Sequence, residues 1–123
     1  MTIKSLMYLR AGAPASDILE YATDGVVGPA LRAHAAGART PHGTTRLFRG
    51  VRTGDDLERA VSSWTPDPRE AARWGDRVVA ASFSFDSVLA IVFHPGTGTI
   101  EYVMPGPDAA LATQLALESR SVV

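Results

Sequence analysis

Apolar positions recur at helical spacing from Ser16 to about Gly37, where Ile18 and Leu19 lead to Tyr21 and Ala22, and Leu31, Ala35 and Ala36 continue the stripe. Ser16 or Asp17 is placed to cap its start. Gly25, Gly28 and Pro29 interrupt the run, so the segment reads as one broken helix or two short ones. Ahead of it, MTIKSLMYLR reads as a first strand or helix. Its apolar stretch is broken by Lys4 and Ser5 and ended by Arg10, which argues against a secretory leader even though Ala11-Gly-Ala13 imitates a cleavage site.

After the turn-rich segment Gly37 to Gly43 the period changes. Thr45 to Val51 alternates as a strand, Gly54 to Val61 reads as a short helix, and Ser62 to Thr65 is extended, with Pro66 biasing Thr65 toward the β region. A sharply delimited helix follows: Asp67 as N-cap, Pro68 at the first position, Glu70 completing a capping box, Ala71, Ala72 and Trp74 on one side, and Gly75 as the stop. Val78 to Phe85 and Val88 to Phe93 are β-rich runs separated by Asp86-Ser87. His94 to Gly98 is a turn, and Thr99 to Met104 alternates like a half-buried strand. Pro105-Gly-Pro107 ends it, and Asp108 to about Ser119 has a helical pattern through Leu111, Leu115 and Leu117. Helices first and strands later predict an α+β fold with a mostly antiparallel sheet, in one domain spanning residues 1–123.

Composition narrows the chemistry. The absence of cysteine removes disulfides and thiolate metal sites. His34, His42 and His94 lack metal-ligand spacing, so no metal is expected. No apolar run approaches the ~20 residues that span a bilayer, so no membrane partner is expected. A net charge of −1 argues against attachment to nucleic acid by bulk electrostatics. The distribution is uneven, however. Between Gly25 and Gly54 there is no Asp or Glu, while Arg32, Arg39, Arg46, Arg49 and Arg52 all fall there. Such a zone suits a compact polyanion such as a pyrophosphate, or is simply a set of solvated arginines.

Three places carry candidate chemistry. In an extended Thr45–Val51, Arg49 shares a face with Leu47 and Val51. A guanidinium there needs an anionic partner, either a ligand's phosphate or carboxylate or an internal carboxylate; an edge strand would also accommodate it. Gly50 beside it admits close approach of a backbone or a ligand. Ser63 and Thr65 point one way and Trp64 the other, giving two hydroxyls for a polar ligand, or an ordinary turn before a helix. Glu101 is the one Glu within a strand pattern. Ile100, Tyr102 and Met104 form an apolar face and send Glu101, with Thr99 and Val103, to the other, which is a site or solvent. Gly96-Thr-Gly98 lacks the Lys and helix of a phosphate-binding loop and reads as a hairpin turn.

Taken in order, Leu47-Phe-Arg49-Gly50, then Ser63-Trp-Thr65 leading into a helix, then a strand carrying Glu101-Tyr-Val-Met, resemble the ADP-ribosyltransferase toxin fold. The branch resembled is the one with an Arg, a Ser-x-Thr segment and a Glu at its active site, and the likeness covers about residues 44 to 105. The resemblance implies a split antiparallel sheet with N-terminal helices and NAD as co-substrate without a metal. It implies an enzyme that cleaves the nicotinamide–ribose bond and transfers ADP-ribose to a macromolecule or small molecule, or hydrolyses NAD. Arg49, with Gly50, would bind an NAD phosphate, Ser63 would hold the nicotinamide-side ribose, and Thr65 would brace the strand edge. Glu101 would be catalytic, bonding the ribose 2′-hydroxyl and stabilising the oxocarbenium-like centre. Trp64, Trp74, Phe83 and Phe85 are candidates for the nicotinamide pocket or the core. Arginine-modifying relatives carry Glu or Gln two residues before the catalytic Glu; Thr99 stands there, an acceptor-side candidate but a poor general base, which argues against arginine as the target. A related branch with His in place of Arg49 is not matched. The setting implied is the cytoplasm of a producing or host cell. The alternatives are an inactive module of the same fold that grips NAD or a protein partner, and an interaction domain of another α+β fold.

Overall fold

The first described element is a strand. In the computed structural model, which describes residues 5–38, 42–52 and 60–106, β1 (Ser5–Leu9) is followed by α1 (Ala15–Asp24) and α2 (Pro29–Ala38). Then come β2 (His42–Val51), β3 (Val61–Trp64) and the short α3 (Pro68–Ala71). β4 (Arg77–Phe83), a 3-10 turn at Phe85–Ser87, β5 (Ala90–His94) and β6 (Thr99–Pro105) complete the described elements. The fold is α+β. β1-β5-β6-β3 form a four-stranded sheet and β2-β4 a two-stranded one, and every pairing is antiparallel. Among the described residues no helix is long and apolar enough to cross a membrane.

The break between the first two helices follows the Gly25 signal. Gly25 adopts φ 74°, the left-handed region glycine tolerates, and its N–H donates to the Tyr21 carbonyl at 2.8 Å. Asp17 caps a different helix from the one expected. The N-cap position of α1 is Pro14, without a side-chain cap, while Asp17 Oδ2 accepts the Leu31 N–H of α2 at 3.1 Å. Gly28 makes room for this, since a Cβ there would crowd the Asp17 carboxylate.

The larger sheet has two apolar faces. On one, Val61, Val92 and Val103 pack against Ile18 and Tyr21 of α1 and Leu31, Ala35 and Ala38 of α2. On the other, Trp64 and Met104 pack against Leu47, Val51, Val79 and Phe83 of the small sheet, with Trp64 edge-on to Phe83 at 4.8 Å. Each fully buried aliphatic contributes about 1.5–3 kcal/mol, so these two interfaces dominate what holds the layers together. Among the described residues one backbone bridge joins the sheets, where Phe48 and Thr65 exchange both backbone hydrogen bonds at 2.8 Å.

The alternation read for β6 holds, but its second face is not simply solvent. Glu101 and Val103 turn toward the helices, and Tyr102 and Met104 toward the small sheet. β4 and β5, successive in sequence, belong to different sheets, and the crossing is made at Phe85–Ser87, where the Ser87 hydroxyl donates to the Ser84 carbonyl at 2.7 Å. Of the helix read over Gly54–Val61, Val61 heads β3 and residues 53–59 lie outside the described residues, as does the helix read over Asp108–Ser119.

Candidate active site

Glu101 lies on β6, the strand flanked by β5 and β3. Its cross-strand partner is Val92, while His94 pairs with Thr99 and Ser63 with Val103. His94 and Ser63 are therefore diagonal neighbours of Glu101 on the same face, one on each side, within reach of a long side chain. The contacts follow from that register. Ser63 Oγ–H donates to Glu101 Oε2 at 2.5 Å, and His94 Nε2 lies 2.8 Å from Oε1. Tyr21, reaching down from α1, meets Ser63 Oγ at 2.8 Å. Serine has one hydroxyl proton and Glu101 takes it, so Tyr21 O–H is the donor to Ser63. Glu101 is 8% exposed, and a carboxylate that far from water needs such donors. Both its oxygens are engaged.

This row forms the floor of a cleft of about 440 Å³, within the ~300–1,000 Å³ range of small-molecule sites. Tyr21 and Gly25 line it from the helices, Glu70 and Trp74 from α3 and the turn after it, and Thr97 and Thr99 from the β5–β6 hairpin. Thr97 Oγ1 and Thr99 Oγ1 are hydrogen-bonded at 2.7 Å at its edge. The turn His94–Gly98 closes tightly, with Gly98 at φ 69° and its N–H donating to the His94 carbonyl at 2.8 Å. A second hollow, of about 460 Å³, shares Trp74 and is lined also by Arg52, Arg73, Gly75 and Asp76.

Of the residues singled out from sequence, Ser63, Thr99 and Glu101 come together in the cleft, and Arg49, Gly50 and Thr65 are buried and are not among its lining residues. Arg49 keeps company with Leu47 and Val51 on the buried face of β2, 8% exposed. Its Nη1 donates to the Ser63 carbonyl at 3.1 Å. It therefore grips the backbone of the residue whose hydroxyl holds Glu101, and the two far-apart groups converge on Ser63. The close approach that Gly50 permits is by protein backbone: a Cβ there would overlap the Ala71 carbonyl and crowd Trp74. Thr65 is 2% exposed, and its Oγ1 accepts the Asp67 N–H at 3.2 Å. That is the capping partner the sequence assigns to Glu70. Glu70 instead pairs with Arg73 at 3.7 Å and faces the cleft. Asp67 itself caps α3 through the Arg69 N–H at 2.9 Å. Among the aromatic candidates, Trp74 lines the cleft, Trp64 and Phe83 are core, and Phe85 is exposed against Tyr8.

Two residues of the row, Tyr21 and His94, were not singled out from sequence as site residues. Tyr21 had no sequence signal beyond its helical stripe. His94 had one: a four-residue turn after it sets it opposite Thr99, and hence on the face of Glu101. No protein-family model, curated protein or solved structure matches the chain.

Proposed function

We propose that the chain is an NAD-dependent ADP-ribosyltransferase that breaks the nicotinamide–ribose bond at Glu101 and passes ADP-ribose to an acceptor or to water. The observation that carries this reading is the Ser63–Glu101 hydrogen bond on the floor of the cleft, steadied by Tyr21. It joins two of the three motifs that the resemblance rests on. As nicotinamide leaves, positive charge builds on the ribose, and an anion held in place stabilises that charge more in the transition state than in the ground state. Trp74 offers an apolar wall for the nicotinamide ring. Arg49 holds the Ser63 backbone, and its guanidinium, with Gly50, is the proposed contact for an NAD phosphate. The split antiparallel sheet, with helices packed on the larger sheet, suits the ADP-ribosyltransferase-like fold. On this reading the protein acts in the cytoplasm of the producing or host cell.

Incubation with labelled NAD and a cell lysate is expected to transfer label and release nicotinamide. Glu101→Gln should lower the release by about 10²–10³-fold, the usual scale for a lost transition-state charge partner, while leaving the thermal midpoint nearly unchanged. Undiminished release in that variant would remove Glu101 from its role.

The edge of the cleft favours a second reading, an inactive module that binds NAD or a protein partner. Thr99 stands where arginine-modifying relatives have an acid or amide, and its hydroxyl bonds Thr97. Calorimetric NAD binding without nicotinamide release over hours would select this reading over the enzyme.

A further inference from the structure

Ser63 and His94 hold the Glu101 carboxylate from its two sides, and of these two His94 can change its charge. Ser63 holds Oε2 as a neutral hydroxyl. His94 holds Oε1 through Nε2 at 2.8 Å, with both side chains mostly buried, 19% and 11% exposed. A neutral imidazole carries one N–H, and a bond to a carboxylate oxygen requires it on Nε2. An imidazolium makes the same bond with the same geometry. What differs is the field. Beside a neutral His94, Glu101 presents a net negative charge to the cleft. Beside an imidazolium, the pair is close to neutral.

We infer that His94 is the positioning residue for Glu101, and that its protonation cancels the negative charge which Glu101 presents to the cleft. The inference rests on the NAD-cleaving role proposed above for Glu101. The reacting sugar gains positive charge as nicotinamide departs with the bonding electron pair, so the neutral His94 state is the active one. Among the described residues, the titratable groups that line the cleft with His94 are Glu101 on β6, Tyr21 from α1 and Glu70 from α3. β1, the other neighbour of β5, brings Tyr8, which packs in the cluster on the opposite face of the sheet.

The test combines kinetics and spectroscopy on the full chain, with circular dichroism confirming that each variant folds. For the wild type, kcat for nicotinamide release should fall as the pH is lowered, with KM little changed. His94→Gln keeps an N–H for Oε1 and cannot ionise; it should retain most of the activity at high pH and lose this acid limb. His94→Ala leaves Glu101 without that tether and should drop kcat by about 10²-fold across the range. An acid limb surviving intact in His94→Gln, or wild-type kcat in His94→Ala, would overturn the inference. Nitrogen NMR of the imidazole at high pH decides the clamp apart from activity. An Nε2–H tautomer is expected, and an Nδ1–H tautomer overturns the inference even in an active protein. A wild type that releases no nicotinamide at any pH would defeat the proposed function, and the tautomer would still tell whether His94 holds Glu101.

Discussion

Single side chains in this protein act mainly through the hydrogen they give or take. Ser63 is the clearest case, because its hydroxyl, its carbonyl and its strand position serve three partners at once: Glu101, Arg49 and β6. Alternation along the strand was enough to separate Ser63 from Trp64, but the partners themselves lie far off in sequence and left no local trace. His34 shows the same dependence away from the cleft. It accepts from Arg10 Nη1 at 3.0 Å, and because a guanidinium cannot accept, the imidazole must be neutral at Nε2. Its pKa is lowered from 6.5, first by burial and then by the Arg10 charge. The sign follows from linkage. The unfolded chain takes up a proton at the ordinary imidazole pKa while the folded chain resists, so stability is greatest above that value and falls as pH drops through it toward the folded-state value. The thermal midpoint should therefore decline between about pH 7 and pH 5, and decline less in His34→Gln, whose amide oxygen accepts from Arg10 without titrating. Equal declines in the two proteins would show that His34 has no part in the acid sensitivity.

At the scale of elements, local signals were legible and long-range partnerships were not. Asp67 and Pro68 open α3 where their side-chain chemistry says a helix should start, and Arg49 shares the face of Leu47 and Val51 because a strand's period is two. Asp17 misled because a capping side chain need not serve its own helix; the Leu31 N–H was nearer in space. Two successive β-rich runs gave no sign of belonging to different sheets, since that choice is made by the facing layers and not by the runs themselves. Gly50 was read correctly as a point of close approach, but sequence could not say by what. The answer has a measurable consequence. A Cβ at Gly50 would overlap the Ala71 carbonyl and come within 2.8 Å of Trp74 Cβ, while Gly75 lies against the backbone of Val51 from the other side. Gly50→Ala must push the end of α3 outward and take Trp74 with it. We expect a loss of about 1–3 kcal/mol in chemical denaturation, typical of overpacking, and weaker NAD binding by calorimetry. Unchanged stability would mean that the strand and helix slide apart without resistance, and that their contact does not set the cleft wall.

For the molecule as a whole, the cleft is where separately built layers meet. α1 brings Tyr21, the larger sheet brings Ser63, His94 and Glu101, and the turn after α3, packed on the small sheet's Gly50, brings Trp74. A ligand there touches parts of the chain that, among the described residues, meet through two apolar interfaces, a backbone bridge between the sheets and the contacts of Tyr21 and Arg49 with Ser63. Binding to the folded state alone must stabilise the fold by mass action, about 2.7 kcal/mol when NAD is about 100-fold above its Kd. For a chain of this size that is a rise of several degrees in the thermal midpoint, a few degrees for each kcal/mol. The rise should also appear in Glu101→Gln, because removing the carboxylate proposed to stabilise the departing sugar need not remove the cleft proposed to receive the dinucleotide. The variant should hold the shift through a long incubation, while the wild type loses it as NAD is consumed. A midpoint that rises and stays in both proteins would describe a binding module. A midpoint that moves in neither, at millimolar NAD, would mean that the hollow above Ser63 and Glu101 receives some other ligand.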